Sequence, residues 1–237
     1  LQQQGAKPRK GLGQNFLTSK GVLGDILQAA DLKRSDTVLE IGPGIGTLTR
    51  ELAQSAKRVI AVEKDPAMVE ILKETVKDLP NIEIICGDIL GIVLTKGKHG
   101  PNYKVVANLP YYITSPVIRM FLETESKPKL LVFMVQKEVA QRICAKPPEM
   151  SLLAVSVQFY ATPSIVSYVK KNCFWPQPKV DSAILRIAPL MNADRKLINA
   201  DMFFKIVKAG FKQPRKQLLN NLSHNLPPNM SNTKCWT

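Results

Sequence analysis

The chain has 237 residues, 45% of them hydrophobic, and carries 33 Lys and Arg against 19 Asp and Glu, a net charge of +14. That length suits one sizeable domain with a small appendage, and the longest apolar run, near Leu130 to Val135, is too short to span a bilayer, so no membrane partner is expected. The surplus of cations favours a polyanion over a merely soluble basic surface, because each neutralised phosphate releases a counterion.

Residues 1–13 read as a mobile basic arm, with Lys7, Arg9 and Lys10 among Gly and Pro. No signal-peptide pattern opens the chain, and the opening Leu1 implies a trimmed start. A helix is predicted over 19–30, with Val22, Leu23, Ile26 and Leu27 on one face. Short apolar runs then alternate with helical stretches: strand 37–41, helix 48–55, strand 58–62, helix 66–77, strand 82–86, strand 104–107, helix 116–123, strand 130–135 and helix 137–143. Such alternation is the signature of a doubly wound α/β sheet. The stretch 151–160 is ambiguous by period and is read as helix, while 164–169 and 182–187 read as strands. After Pro189 the character turns basic and helical, which places a boundary between a domain over 1–188 and a small helical one over 189–237. There an amphipathic helix over 203–211, ending at Gly210, precedes Lys212, Arg215 and Lys216, and a second helix starts near Gln217. Those three cations suit phosphate contact about as well as a solvated turn. Cys86, Cys144, Cys173 and Cys235 are scattered without a C-x-x-C pair, so reduced thiols in a cytoplasmic protein are expected, and no metal site. His99 and His224 receive no catalytic role.

The first sheet strand runs into Glu40-Ile41-Gly42-Pro43-Gly44-Ile45-Gly46-Thr47. Glycines there let the backbone turn sharply and let a ligand lie against it. A dinucleotide fingerprint would place Gly or Ala where Thr47 stands, and Pro43 removes an N–H that a pyrophosphate would use. S-adenosylmethionine has no phosphate, and the E-x-G-x-G-x-G form resembles methyltransferase motif I. The second strand ends in Val62-Glu63-Lys64-Asp65, where Glu63 is placed to accept hydrogen bonds from both ribose hydroxyls and Asp65 to cap the next helix before Pro66. Lys64 is taken as a further cofactor contact beside it. The third ends in Gly87-Asp88-Ile89, with Asp88 accepting from the adenine amine of the cofactor and Ile89 packing on its ring.

The fourth strand ends in Asn108-Leu109-Pro110-Tyr111-Tyr112. The exocyclic amine of adenine is a poor nucleophile, because its lone pair is delocalised into the ring. An Asn side-chain carbonyl and a neighbouring backbone carbonyl, as at Asn108 and Leu109, can accept both of its N–H bonds. An aromatic ring at Tyr111 can stack on the base, and its ring rather than its hydroxyl is expected to matter. A sulfonium leaving group removes the need for a strong base, so positioning carries most of the rate.

At these residues the sequence resembles the rRNA adenine N6,N6-dimethyltransferases, which include the KsgA type acting on small-subunit rRNA and the Erm type acting on large-subunit rRNA. The resemblance runs from Gly11 to about Leu222. It rests on Gly13-Gln14-Asn15-Phe16-Leu17, Glu40 to Gly46, Asn108 to Tyr111, Gln136 to Ala140, and the F-x-P-x-P-x-V-x-S pattern from Phe174 to Ser182. It implies that Gln14, Asn15 and Leu17 close over the methionine end of the cofactor, and that Gly42, Gly44, Glu63, Asp88 and Asn108 bind the rest. It also implies that Tyr111 and Phe174 flank a flipped adenine. Family members end in a longer helical domain than the stretch after Pro189 supplies.

The expected fold is therefore a Rossmann-like S-adenosylmethionine-dependent methyltransferase with a small helical C-terminal domain. The expected activity is dimethylation of adenine N6 in small-subunit rRNA by a cytoplasmic monomer, with a precursor of the small ribosomal subunit as partner and a role in ribosome biogenesis. Gly13 before Gln14, Leu109 after Asn108 and the segment from Gly210 to Lys216 favour the KsgA branch over the Erm branch. A non-catalytic RNA- or DNA-binding factor is the other alternative, and the intact glycine and Asn108–Tyr111 loops argue against it.

Overall fold

The computed structural model describes residues 8–9, 11, 13–92, 103–190, 199–213 and 216–225. In chain order the strands are β1 (Phe16–Leu17), β2 (Thr37–Ile41), β3 (Arg58–Glu63), β4 (Ile82–Cys86), β5 (Tyr103–Asn108), β6 (Leu130–Gln136), β7 (Ala161–Val169), β8 (Phe174–Trp175) and β9 (Ser182–Pro189). The helices are α1 (Lys20–Ala30), α2 (Thr47–Ser55), α3 (Pro66–Thr75), α4 (Thr114–Glu123), α5 (Lys137–Ile143), α6 (Leu152–Tyr160), α7 (Ala200–Phe211) and α8 (Leu218–Asn225).

A seven-stranded sheet runs in the order β4-β3-β2-β5-β6-β9-β7. The pairs from β4 to β6 are parallel, β9 is antiparallel to β6, and β7 is antiparallel to β9. The chain steps outward from β2 to β4, then returns to place β5 on the other side of β2. That reversal parts the loops at the carboxyl ends of β2 and β5 and opens a crevice between them.

Both faces of the sheet are covered, so its central strands are apolar runs rather than half-polar alternations. Within β2, Val38 faces a core shared with Leu23 and Ile26 of α1 and Leu48 and Leu52 of α2. Leu39 and Ile41 face the opposite core, with Val117 and Phe121 of α4, Ile143 of α5 and Val157 of α6. Several helix starts follow from their caps: Ser19 Oγ accepts from Val22 N–H, Ser151 from Ala154 and Asn199 from Met202, each satisfying an orphan donor. Asp65 caps α3 with Pro66 in its first turn. Among the described residues no helix is long and apolar enough to cross a membrane.

Several features depart from the sequence reading, among them an earlier start of β7 at Ala161 and of α7 at Ala200. β1 and β8 form a separate two-stranded antiparallel sheet, Phe16 opposite Trp175 and Leu17 opposite Phe174. Two-residue strands carry no period to read. Gly210 does not end its helix, since α7 continues to Phe211. A Cβ there would lie 2.9 Å from Leu218 Cδ1, so this glycine lets α8 approach α7. Asn221 Nδ2 ties the same corner by donating to the carbonyls of Gly210 and Gln213. The helical pair docks on α6 through stacked rings, Phe159 on Phe203 at 4.3 Å and Tyr160 on Phe204 at 5.8 Å. Most of the basic arm, Arg215, His99 and Cys235 lie outside the described residues. Arg9, which is described, pairs with Asp65 at 3.3 Å instead of standing free.

Candidate active site

The crevice at the strand reversal is a cavity lined by the opening loop, the glycine loop, and the tips of β3, β4 and β5. Gly42 and Gly44 both take left-handed backbone, at φ 66° and 57°. A Cβ on Gly44 would sit 2.9 Å from the Phe16 ring of β1, so both conformation and space require glycine there.

Glu63 fixes this loop from the end of β3. Its Oε2 accepts from Gly44 N–H at 3.0 Å and its Oε1 from Asp65 N–H at 2.9 Å. Burial raises its pKa, and those backbone donors oppose the rise. A carboxylate offers about four acceptor positions, so capacity remains for a hydroxyl donor in the cavity. Asp65 faces elsewhere: its Oδ1 caps α3 through Ala67 N–H, and its Oδ2 accepts from Gln14 Nε2 at 3.1 Å.

Asp88, just past β4, accepts from Lys64 Nζ at 2.8 Å and from Leu90 N–H at 3.0 Å. Lys64 holds the Asp88 carboxyl below its usual range, and the Lys64 ammonium is raised in turn. Lys64 and Asp88 therefore meet each other at the cavity rim, which any donor reaching for Asp88 must share. Ile89 is buried against the core beneath them.

Asn108 ends β5 with Nδ2 donating to the Asn15 carbonyl at 2.9 Å, which turns its own amide oxygen away from the opening loop. Asn15 Nδ2 in turn donates to the Gly13 carbonyl. Leu109 is buried, and its N–H bonds to Met134 of β6. Tyr111 begins a short 3₁₀ turn, Tyr111–Ile113, and lies half-buried with its hydroxyl 2.9 Å from Ser182 Oγ of β9. Burial raises the pKa of that phenol. The hydroxyl is thus tied into the sheet, a contact the sequence reading did not include. Tyr112 is exposed at the mouth.

Of the expected site residues, Gln14, Asn15, Leu17, Gly42, Gly44 and Glu63 meet at this cavity, with Lys64, Asp88, Ile89, Asn108, Leu109 and Tyr111. Phe174 is the exception. Pairing with Leu17 places it 5% exposed in the core under α1 and α2, and it does not line the cavity. Its neighbour Trp175 is the exposed ring of β8. Lys212 and Lys216 are exposed near the start of α8, away from this cavity's walls. Sequence reasoning gave no role to Glu40, a buried acid on the cavity wall, or to Ser182. Both stand inside recognised motifs, and only their burial marks them as more than strand residues.

The cavity suits a cationic nucleoside-linked amino acid. It offers a side-chain-free loop, a carboxylate with acceptor capacity to spare, and a buried oxygen, Glu40 Oε2, without a hydrogen-bond partner.

A family model described as ribosomal RNA adenine dimethylase matches residues 5–234. A Dehalococcoides mccartyi protein called ribosomal RNA small subunit methyltransferase A is 52% identical over 222 residues, covering 93% of this chain and 76% of that one. A Clostridioides difficile protein of the same name is 43% identical, covering 94% and 79%. Among solved structures, a Plasmodium falciparum dimethyladenosine transferase superposes with TM-score 0.78 at 33% identity, over 89% of this chain and 75% of that one. The 23S rRNA methyltransferase ErmE superposes with TM-score 0.76 at 30% identity, over 91% and 86%. With the glycine cradle, the acidic strand tips and the Asn108–Tyr111 loop at one cavity, the chain belongs to the ribosomal RNA adenine dimethylase family, a family of S-adenosylmethionine-dependent methyltransferases.

Proposed function

We propose that this protein dimethylates adenine N6 in small-subunit ribosomal RNA, acting as a cytoplasmic monomer on the subunit or its precursor. The observation that carries the reading is the Asn108–Tyr111 loop, which lines one cavity with the glycine cradle and is tied to the opening loop through the Asn108 to Asn15 hydrogen bond. The name shared by relatives at 43–52% identity supports the small subunit over the large.

S-adenosylmethionine, when bound, supplies an electrophilic methyl on a good leaving group. Gly42 and Gly44 give it a wall without side chains, and Glu63 takes the ribose hydroxyls. Asp88 and Ile89 face its adenine, and Gln14, Asn15 and Leu17 close over its methionine end, with Lys64 at the rim. Asn108 Oδ1 and the Leu109 carbonyl accept the two N–H bonds of the target amine and aim its lone pair. Tyr111 stacks on the target base, anchored by Ser182. A base must leave its stack to reach such a pocket, which costs least in an already unpaired loop. Lys212 and Lys216, with Arg215 between them in sequence, contact RNA phosphates. Phe174 flanks the base only if β8 shifts, because its ring is buried as placed.

The test is incubation with labelled cofactor and undermethylated small or large subunits, followed by identification of the nucleoside. Dimethyladenosine in small subunits is expected. Dimethyladenosine in large-subunit rRNA would assign the protein to the Erm branch, and no transfer to either would favour a binding factor.

A further inference from the structure

Glu40 sits near the end of β2, two residues before the glycine loop, and the steps above leave it unused. It is 1% exposed and lines the cavity. A buried carboxylate lacking partners is far costlier than a neutral carboxyl. From α2 the buried Thr49 hydroxyl is the hydrogen-bonding neighbour that favours its charge, while its Oε2 meets no partner within hydrogen-bond geometry. From β3 the group that acts is the Glu63 carboxyl, while its strand partners are the apolar Ala61 and Val106. Among the described residues no cation is among the groups that perturb it. Burial first, opposed by Thr49 and helped by Glu63, pushes its pKa up to about 8. Of the two acids, Glu63 has backbone N–H donors to hold its charge, so the proton resides on Glu40.

We propose that Glu40 senses the charge of the cofactor, keeping its proton in the ligand-free protein and releasing it when the cationic methyl donor enters, so that donor and neutral-sulfur product are told apart by one proton. The inference rests on the reading of this cavity as the S-adenosylmethionine site. S-adenosylmethionine carries one more positive charge than S-adenosylhomocysteine. A positive charge brought beside one ionised and one neutral carboxyl favours ionising the second. The Glu40 O–H bond then breaks, the electron pair stays on the carboxylate, and the proton passes to solvent. Linkage is reciprocal, so donor affinity rises about tenfold per pH unit below pH 8 and levels above it, while product affinity stays flat. Once the methyl has left, the sulfonium charge is gone, Glu40 regains its proton, and the product is held less tightly.

Calorimetry at pH 7 in two buffers of different ionisation enthalpy counts the protons. Close to one is expected on binding S-adenosylmethionine and well under half on binding S-adenosylhomocysteine. Glu40→Gln should abolish the donor's release and its pH slope and bring the two affinities together. Equal release with both ligands, or unchanged release in Glu40→Gln, overturns the proposal while leaving the cofactor site intact. Failure of either ligand to bind the wild type overturns both. If Glu40→Gln does not fold, difference infrared spectroscopy on the wild type decides. The protonated carboxyl band should vanish with the donor and persist with the product, and its persistence with both rules the sensor out.

Discussion

On the wall proposed for the cofactor, the polar groups are tied to backbone nearby. Glu63 reaches Gly44, 19 residues away, and Asp65, two away, and Asp88 reaches Leu90, two away. On the wall proposed for the target base the ties cross the whole domain: Asn108 bonds to Asn15 over 93 residues, and Tyr111 to Ser182 over 71. The strand-borne groups of the first wall are in place once three adjacent parallel strands have formed, and the opening loop then closes over its methionine end. The second needs the opening loop and the antiparallel strand β9 as well, so changes there should disturb position and fold together.

The largest expected effect falls on the base wall. Asn108→Ala removes the acceptor that orients the amine and the donor that holds Asn15, and should cut kcat by at least about 100-fold, with RNA affinity little changed. Labelled-methyl transfer and filter binding on the same preparation would read this, and near-normal turnover would give the loop another role.

Phe174→Ala sharpens the contrast, because its ring is buried rather than presented. Truncating a buried aromatic costs roughly 3–5 kcal/mol, which for a domain of this size lowers Tm by about 10 °C. A variant with unchanged Tm but weakened RNA binding would show that the ring works at the base, in a position other than the one seen. Glu63→Ala tests the other wall: losing the ribose acceptor should weaken cofactor binding by about 2–4 kcal/mol. Unchanged affinity by calorimetry would remove Glu63 from the site.

The same contrast governs what the sequence revealed. Glycines and acids at the tips of successive strands announce themselves locally, because an apolar run followed by Gly or Asp marks where a strand ends at a ligand. That is why Glu63, Asp88 and Asn108 are legible from residues alone as strand tips that meet at one cavity, along with the helix starts near Ser19 and Asp65. The pairing of Phe16 with Trp175 spans most of the chain and uses two residues on each side, so no window of sequence holds it. Burial of Phe174 follows from that pairing and was hidden for the same reason. Gly210 misled in a different way: glycine after a helical run reads as a stop, and only the approach of α8 reveals a packing role. The extra turn before 203 in α7 follows from the Asn199 cap, which stands outside the apolar run that marks the helix.

The smallest effect is the most discriminating for the base wall. Tyr111→Phe keeps the ring that stacks on the base, and a wall that used only the ring would be indifferent to it. Here the hydroxyl meets Ser182 Oγ, which is fully buried, so its removal strips that group of this partner. Leaving a buried polar group unpaired costs about 1–3 kcal/mol. Part of that cost should appear as lower stability, and part as a several-fold fall in kcat with KM for RNA nearly unchanged, because the ring still stacks but swings more freely. Ser182→Ala should have a similar effect, and the double variant should lose less than the two singles added. The expected coupling is about 0.5–1.5 kcal/mol. Strict additivity would mean the contact carries no energy, and the base wall would then be fixed by packing alone.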